Sequence, residues 1–464
     1  MLTVTDGLVD YQVLQRDAQN SGHAVLQGTC APEATGTVEA RVLRHGFPLS
    51  DWEWRPVGMA EGGTWSAQMT GLPVGGPYQI EIRAAQMPSE TIILREILVG
   101  DLWLLAGQSN MEGVGDLIDV EPPSPLVHSF DMADHWRIAE EPLHWLCDSI
   151  DEVHTRQAEP FRTRNAQVVH ATRTKGAGLG LPFAIEMVRR TGVPVGLLCC
   201  AHGGTSMAQW SPGLRDRGGE SLYGSMYRRF KKAGGRVRGV LWYQGESDAN
   251  TTDAKMYTKN MRELIESMRR DFGDPALPFY FVQLGRLIQS PGKEYPLPWN
   301  QIQEAQRQLA SEIPNTAVVP AIDLELDDAI HIGTQGLKRL GRRLAKVACS
   351  QLFGDTTVTK GPTLCGVIVE DGKIRVTFEG VNSNLFAAGR ITGFGLYDRK
   401  GNLLPLIYKV TVDSLRPSEV LLHLTDTPPE DAHLWYGFGL DPCCHLVDAS
   451  DMAVPVFGPI PLQK

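Results

Sequence analysis

Two residues far apart in the chain pair a nucleophile with a base: the serine of Gly107-Gln108-Ser109-Asn110 and the histidine of Asp328-Ala329-Ile330-His331. A serine hydroxyl is a weak nucleophile until a base takes its proton as it attacks. An imidazole does this at neutral pH. A carboxylate three residues earlier in a turn can fold back onto the other ring nitrogen, fixing the tautomer and stabilising the imidazolium. Asp328 has that spacing to His331, and Asp327 competes with it, because turn geometry is not legible this finely from sequence. Acyl transfer also needs donors for the developing oxyanion. The amide of Ser109, that of Gly203 or Gly204, and the side-chain amide of Gln244 are the candidates. A glycine lets the backbone approach closely. Asn110 and Glu246 are candidate supports or substrate contacts, with Glu246 suited to orienting a loop or binding a substrate hydroxyl. Taken singly, Ser109 reads equally as a helix cap and His331 as a surface residue at a helix start. Their combination with the other loops carries the chemistry.

These residues need a frame that brings four loops together. Apolar strand candidates lie at Ile97 to Leu105, Val193 to Leu198, Val237 to Trp242, Phe279 to Leu284 and Val318 to Leu324. Between them are amphipathic stretches from Leu181 to Arg190, Asp253 to Arg270 and Ile302 to Leu309, and a last helix runs from about Gln335 to Leu352. Asp253 and Thr334 are the expected N-caps. Strands buried on both faces and alternating with helices predict a parallel sheet in an α/β layer fold. Such sheets bind ligands beyond the carboxyl ends of their strands. Four polar segments fall there: 107–113, 201–206, 243–248 and 323–331.

The flanks differ. Residues 1–97 carry short apolar runs with period-two alternation, as in Tyr78-Gln79-Ile80-Glu81-Ile82, and predict a small β-sandwich. Residues 98–355 make the α/β unit, with an insertion rich in proline, histidine and tryptophan around 116–175. Residues 360–464 return to β pattern, notably Lys373 to Phe378 and Val420 to Leu424.

A 42% hydrophobic share over 464 residues supplies one large core or several smaller ones. Lys+Arg 44 against Asp+Glu 54, a formal net charge of -10, disfavours a nucleic-acid partner. No apolar stretch is long enough to span a membrane, and no signal peptide is visible. The chain therefore reads as cytoplasmic, or as extracellular or periplasmic if a leader has been removed. The eight cysteines are too sparse for a disulfide scaffold and read as free thiols, ahead of a single link from Cys443 or Cys444. No histidine-carboxylate cluster of metal-ligand spacing is visible, so neither metal nor cofactor is expected. Oligomeric state is not legible.

The strings VGDLWLLAGQSNMEG, AHGGTSMAQW, GVLWYQGESDAN and DDAIH resemble the sialate O-acetylesterase and acetylxylan esterase-like members of the SGNH hydrolase superfamily. VLQRD, GGPYQIEI and the C-terminal β region extend the resemblance over nearly the whole chain. It implies a three-layer, flavodoxin-like α/β core flanked by N- and C-terminal β-rich domains. It also implies a serine esterase that removes acetyl groups from sugar hydroxyls through an acetyl-enzyme. By position in the motifs, Ser109 is the family's nucleophile, Gly204 and Gln244 its oxyanion donors, His331 its base and Asp328 its acid. Ile332 and Gln335 depart from the proline and lysine common after the histidine. Near these loops Trp210, Trp242 and Tyr243 read either as faces on which a sugar stacks or as core and rim packing, with core packing favoured for Trp242 at its strand end. The alternative substrate is an acetylated polysaccharide such as xylan. A non-catalytic carbohydrate-binding protein is the reading from another class, and it predicts loss of the serine-histidine pair.

Overall fold

The computed structural model describes residues 2–156, 165–289 and 296–462. It is an α/β fold with a large mixed sheet flanked by smaller β-rich sheets. Six strands run parallel at its centre, in the spatial order Val127–Phe130, Val195–Cys199, Thr91–Gly107, Gly239–Tyr243, Phe279–Gln283 and Thr316–Pro320. Trp136–Ile138 adds an antiparallel edge. Every residue of the Val195–Cys199, Gly239–Tyr243 and Phe279–Gln283 strands is buried, which is why they read as unbroken apolar runs rather than alternating ones. Helices Gly180–Thr191, Leu222–Lys232, Tyr257–Phe272, Pro296–Glu312 and Thr334–Leu352 follow in the chain. Their apolar faces, including Phe183, Met226, Leu264, Ile302 and Leu344, join the strands in one core cluster.

The strand Thr91–Gly107 determines how the N-terminal region attaches. Its first half pairs antiparallel with Gly75–Ala84 and its second half joins the central sheet, so one strand crosses the expected boundary at 97–98. Upstream, Ser21–Cys30 and Thr64–Pro73 alternate buried and exposed residues. The buried set (Leu26, Val38, Trp65, Met69, Ile80 and Ile82 among others) forms a separate cluster. The C-terminal region has two four-stranded antiparallel sheets and its own cluster around Val376, Leu422, Tyr436 and Phe457. It is fastened to the central sheet by Gln283, which donates to the Val456 carbonyl and accepts from the Val456 amide at 2.8 Å each. Buried Arg343 adds ion pairs to Asp323 and Asp451.

Two local expectations are corrected. Asp253 lies in a short 3-10 turn, Asp253–Lys255, and the following helix begins only at Tyr257. Thr334 is the first helical residue rather than the cap, and its hydroxyl donates to the Asp116 carbonyl instead. The insertion also contributes to the main sheet, where its Val127–Phe130 segment is a fully buried strand. Its residues 157–164 lie outside the described residues. All eight cysteines are thiols. No helix among the described residues is long and apolar enough to cross a membrane.

Candidate active site

Ser109 stands two residues past the end of the Thr91–Gly107 strand, at the start of a single helical turn, Ser109–Glu112. Gly107 makes the turn possible. Its φ is +131°, and a Cβ there would lie 2.1 Å from the Tyr243 carbonyl oxygen, so no side chain fits between the adjacent strands. Gln108 then donates its N–H to that same carbonyl at 2.8 Å.

The Asp328–His331 turn closes on Ser109. His331 Nε2 lies 2.9 Å from Ser109 Oγ, and His331 Nδ1 lies 2.7 Å from Asp328 Oδ2. The other Asp328 oxygen accepts the amides of Ile330 and His331 at 2.9 and 2.8 Å. Burial pushes the Asp328 carboxyl up, but those amide bonds and the imidazole outweigh it and hold it below the usual carboxylate range. Asp327 faces the other way: its Oδ2 accepts the Asp116 amide at 3.0 Å. Of the two acids the sequence left open, only Asp328 meets the ring.

Asn110 ties this turn to the serine. Its Oδ1 accepts the Ile332 amide at 3.0 Å, and its Nδ2 donates to the Ile330 carbonyl at 3.4 Å and to Glu246 Oε1 at 2.8 Å. Two of these bonds bracket His331 on either side. Glu246 is therefore brought to Asn110. Burial raises its carboxyl above the usual range, with the Asn110 hydrogen bond opposing the shift.

On the opposite side of Ser109 lies the Gly203–Gly204 loop. A Cβ on Gly203 would sit 3.3 Å from Ser109 Cβ, which shows how near the loop comes. The Gly203 amide is already committed: it donates to Glu112 Oε2 at 2.8 Å. Between the two glycines that the sequence left open, Gly204, at φ +69°, is the one with an uncommitted amide among the described residues. Glu112 was missed by sequence reasoning. It is buried and sits one turn after Ser109, but nothing in the spacing shows that its partner is 91 residues away.

Gln244 is placed differently from the expectation. Both donor bonds of its amide are taken within the loops, by the Thr205 carbonyl at 3.1 Å and by Asp248 Oδ2 at 2.5 Å. Asp248 also accepts the Met207 amide. In this arrangement Gln244 locks the glycine loop to its own rather than presenting a donor beside Ser109. Of the two readings of the aromatics, the structure has core packing. Trp210, Trp242 and Tyr243 are at most 1% exposed, Trp210 donates to Thr205 Oγ1, and Trp210 meets Trp242 edge-on at 5.3 Å. They are core, because they close the apolar layer beneath the loops, and they present no face to a sugar.

Residues 99–350 match the family model described as "Carbohydrate esterase, sialic acid-specific acetylesterase". The chain belongs to this carbohydrate esterase family. All four site loops fall inside the matched segment, and membership makes the protein a carboxylic ester hydrolase. Among curated proteins, it is 31% identical over 274 residues to one named "Probable carbohydrate esterase" from Arabidopsis thaliana, covering 54% of this chain and 90% of that one. It is 23% identical over 377 residues to the sialate O-acetylesterase of Mus musculus, covering 68% of this chain and 66% of that protein, so it spans just under two thirds of the mouse enzyme's length. Among solved structures, a carbohydrate acetylesterase from Xanthomonas citri has the same fold, with a TM-score of 0.69, 23% identity and coverage of 98% and 99% of the two chains.

Proposed function

We propose that the protein is a carbohydrate O-acetylesterase of the sialate type, in which Ser109 is the nucleophile, His331 the general base and Asp328 the acid that orients it. The observation that carries this reading is the continuous line from Ser109 Oγ through the imidazole to Asp328, at 2.9 and 2.7 Å, inside the segment that matches the family. With its Nδ1–H donated to Asp328, the ring offers the Nε2 lone pair to the serine hydroxyl. Ser109 Oγ attacks the acetyl carbonyl and His331 takes its proton. The Ser109 and Gly204 amides receive the oxyanion. Collapse of the tetrahedral intermediate expels the sugar oxygen, which His331 protonates. Water, activated by the same nitrogen, then attacks the acetyl-enzyme and acetate leaves. Gln244 serves this scheme by fixing the Thr205 loop.

Two further assignments belong to this reading. Without the Val127–Phe130 strand of the insertion, the parallel strands follow the order 2-1-3-4-5, the flavodoxin-like arrangement, and the four site loops follow its first, second, third and fifth strands. This order supports an SGNH-type core over 98–355, with β-rich domains at 1–97 and 360–464. The separate apolar clusters of the two flanks favour that division.

The test quenches the enzyme during turnover of an acetyl ester and looks by mass spectrometry for one acetyl group on Ser109. Ser109→Ala should lose both the adduct and turnover while remaining folded. Acetate release by that variant at the parent rate would refute the covalent scheme. Parallel assays on O-acetylated sialic acid and acetylated xylan settle the substrate, and a clear preference for xylan would replace the sialate assignment.

A further inference from the structure

The insertion brings together three side chains that the esterase reaction does not use. Cys147 and Asp148 share the short 3-10 turn Leu146–Asp148, and His170 projects from the helix Ala166–Thr172. Asp148 Oδ1 and Oδ2 lie 3.0 and 2.9 Å from His170 Nε2, and Cys147 Sγ lies 3.6 Å from Asp148 Oδ1. One sulfur, one nitrogen and one oxygen thus fall within 4.8 Å of one another. We propose that Cys147, Asp148 and His170 form a binding site for a zinc-class divalent cation, separate from the esterase centre.

The donor set selects the class of ion. Thiolate and imidazole together favour zinc-like ions over calcium or magnesium, which take oxygen ligands. Bonds of about 2.3 Å to sulfur and about 2.0 Å to nitrogen and oxygen place tetrahedral ligands roughly 3.3–3.5 Å apart. The sulfur–oxygen separation is already close to this, and the nitrogen–oxygen pair needs to open by only a few tenths of an ångström. An ordinary exposed ion pair has no such third member. His23 and Asp17, 2.6 Å apart on the N-terminal sheet, are an example of that simpler arrangement.

The histidine ring is also held in place. Trp145, which precedes the turn, stacks on His170 with centroids 4.0 Å apart and planes at 24°. His170 remains 43% exposed, which leaves room for water as a fourth ligand. Arg173, at the end of the same helix, lies over the Trp145 ring and reaches to 3.7 Å from Glu112 Oε1. A cation here would therefore pin the insertion to the residue that holds the Gly203 amide.

The experiment strips the full-length protein with chelator and measures zinc uptake by equilibrium dialysis, with Co2+ as a spectroscopic probe. The expected result is one tightly held ion per chain and a thiolate-to-cobalt charge-transfer band. Cys147→Ser should abolish the band, and His170→Gln, at an exposed position that leaves the fold intact, should weaken zinc binding at least about tenfold. His23→Gln should change neither reading. Cys443 and His445, 3.8 Å apart, are the competing thiol-imidazole pair. Zinc and cobalt signals that survive Cys147→Ser but vanish in Cys443→Ser would overturn the proposal, as would parent-like affinity in both Cys147→Ser and His170→Gln, or no stoichiometric uptake.

Discussion

Asp328→Asn separates an orienting carboxylate from a bystander. Asp328 fills three donors with two oxygens: Oδ1 takes the Ile330 and His331 amides, and Oδ2 takes the ring Nδ1–H. Asparagine has only one acceptor oxygen. If that oxygen keeps the two amides, the NH2 group meets Nδ1, which must become the acceptor, and the ring proton moves to Nε2. There it faces Ser109, and the base is lost. If the amide flips, two backbone donors lose their acceptor and the turn that carries His331 loosens. For a buried acid in a serine protease, this substitution costs about 10⁴ in kcat, or ~5.5 kcal/mol. Asp328 is 43% exposed, so water can partly replace it, and the expected loss is about 10²–10³, or ~3–4 kcal/mol. KM should barely move, because the carboxylate lies behind the ring. Asp327→Asn should be mild, since Asp327 accepts the Asp116 amide and not the imidazole. Steady-state kinetics of both variants on one soluble acetyl ester, with circular dichroism as the folding control, decide the matter. The reverse ranking would give the orienting role to Asp327, and two mild effects would leave a serine-histidine dyad; either result refutes the assignment.

Asn110→Ala removes the bonds that bracket His331 and should lower kcat by about 10²-fold with little change in KM, the penalty of a small misplacement between reacting groups. An equal rise in KM would point to substrate binding instead. Glu112→Ala leaves the Gly203 amide without its acceptor and should destabilise the fold by about 1–3 kcal/mol in urea unfolding while slowing turnover; Glu112→Gln should restore most of both. His128 is fully buried, and burial pulls its imidazole down to about 4, although the carbonyls of Tyr11 and Pro125 favour the charged form. A lowered histidine contributes stability that is complete above its unfolded value of about 6.5 and is lost as pH falls toward the folded one. The stability of the parent relative to His128→Phe should therefore be constant above pH ~6.5 and fall by ~1.4 kcal/mol per unit between ~6.5 and ~4. A flat difference across that window would show that His128 is protonated in the native state.

What was legible follows from range. The parallel core was readable because full burial writes itself as apolar runs at Val240 to Tyr243 and Phe279 to Val282, and helix faces repeat locally. Ser109, His331 and Asp328 were readable because two short segments hold them, with the acid and base in one turn. The insertion strand Val127–Phe130 was not, since His128 and Ser129 interrupt the apolar pattern and are accommodated by burial rather than by alternation. Trp210 and Tyr243 stayed open between two readings for the opposite reason. An aromatic residue beside a polar loop has the same composition whether it lines a cleft or closes a core. The grouping of Cys147, Asp148 and His170, proposed above as a cation site, was not legible because the histidine is 22 residues from the aspartate, outside any spacing motif.

The residues hardest to foresee share one property: each belongs to one loop and binds another. Asn110 holds the His331 turn, Glu112 the Gly203 amide, Gln244 the Thr205 carbonyl and Asp248 the Met207 amide. Gln108 Oε1 adds the Ser247 amide at 3.3 Å. These bonds join the 107–113, 201–207 and 243–248 loops in a ring around Ser109, and Asn110 ties the Asp328–His331 turn to the first of them. In the proposed reaction that arrangement would keep the oxyanion donors fixed before charge develops, which is where electrostatic stabilisation is most effective. It also explains why sequence motifs run past the reacting residues in strings such as GQSNMEG and WYQGESD. Their remaining members fasten one loop to the next, so their loss should appear in kcat and in stability before it appears in substrate affinity.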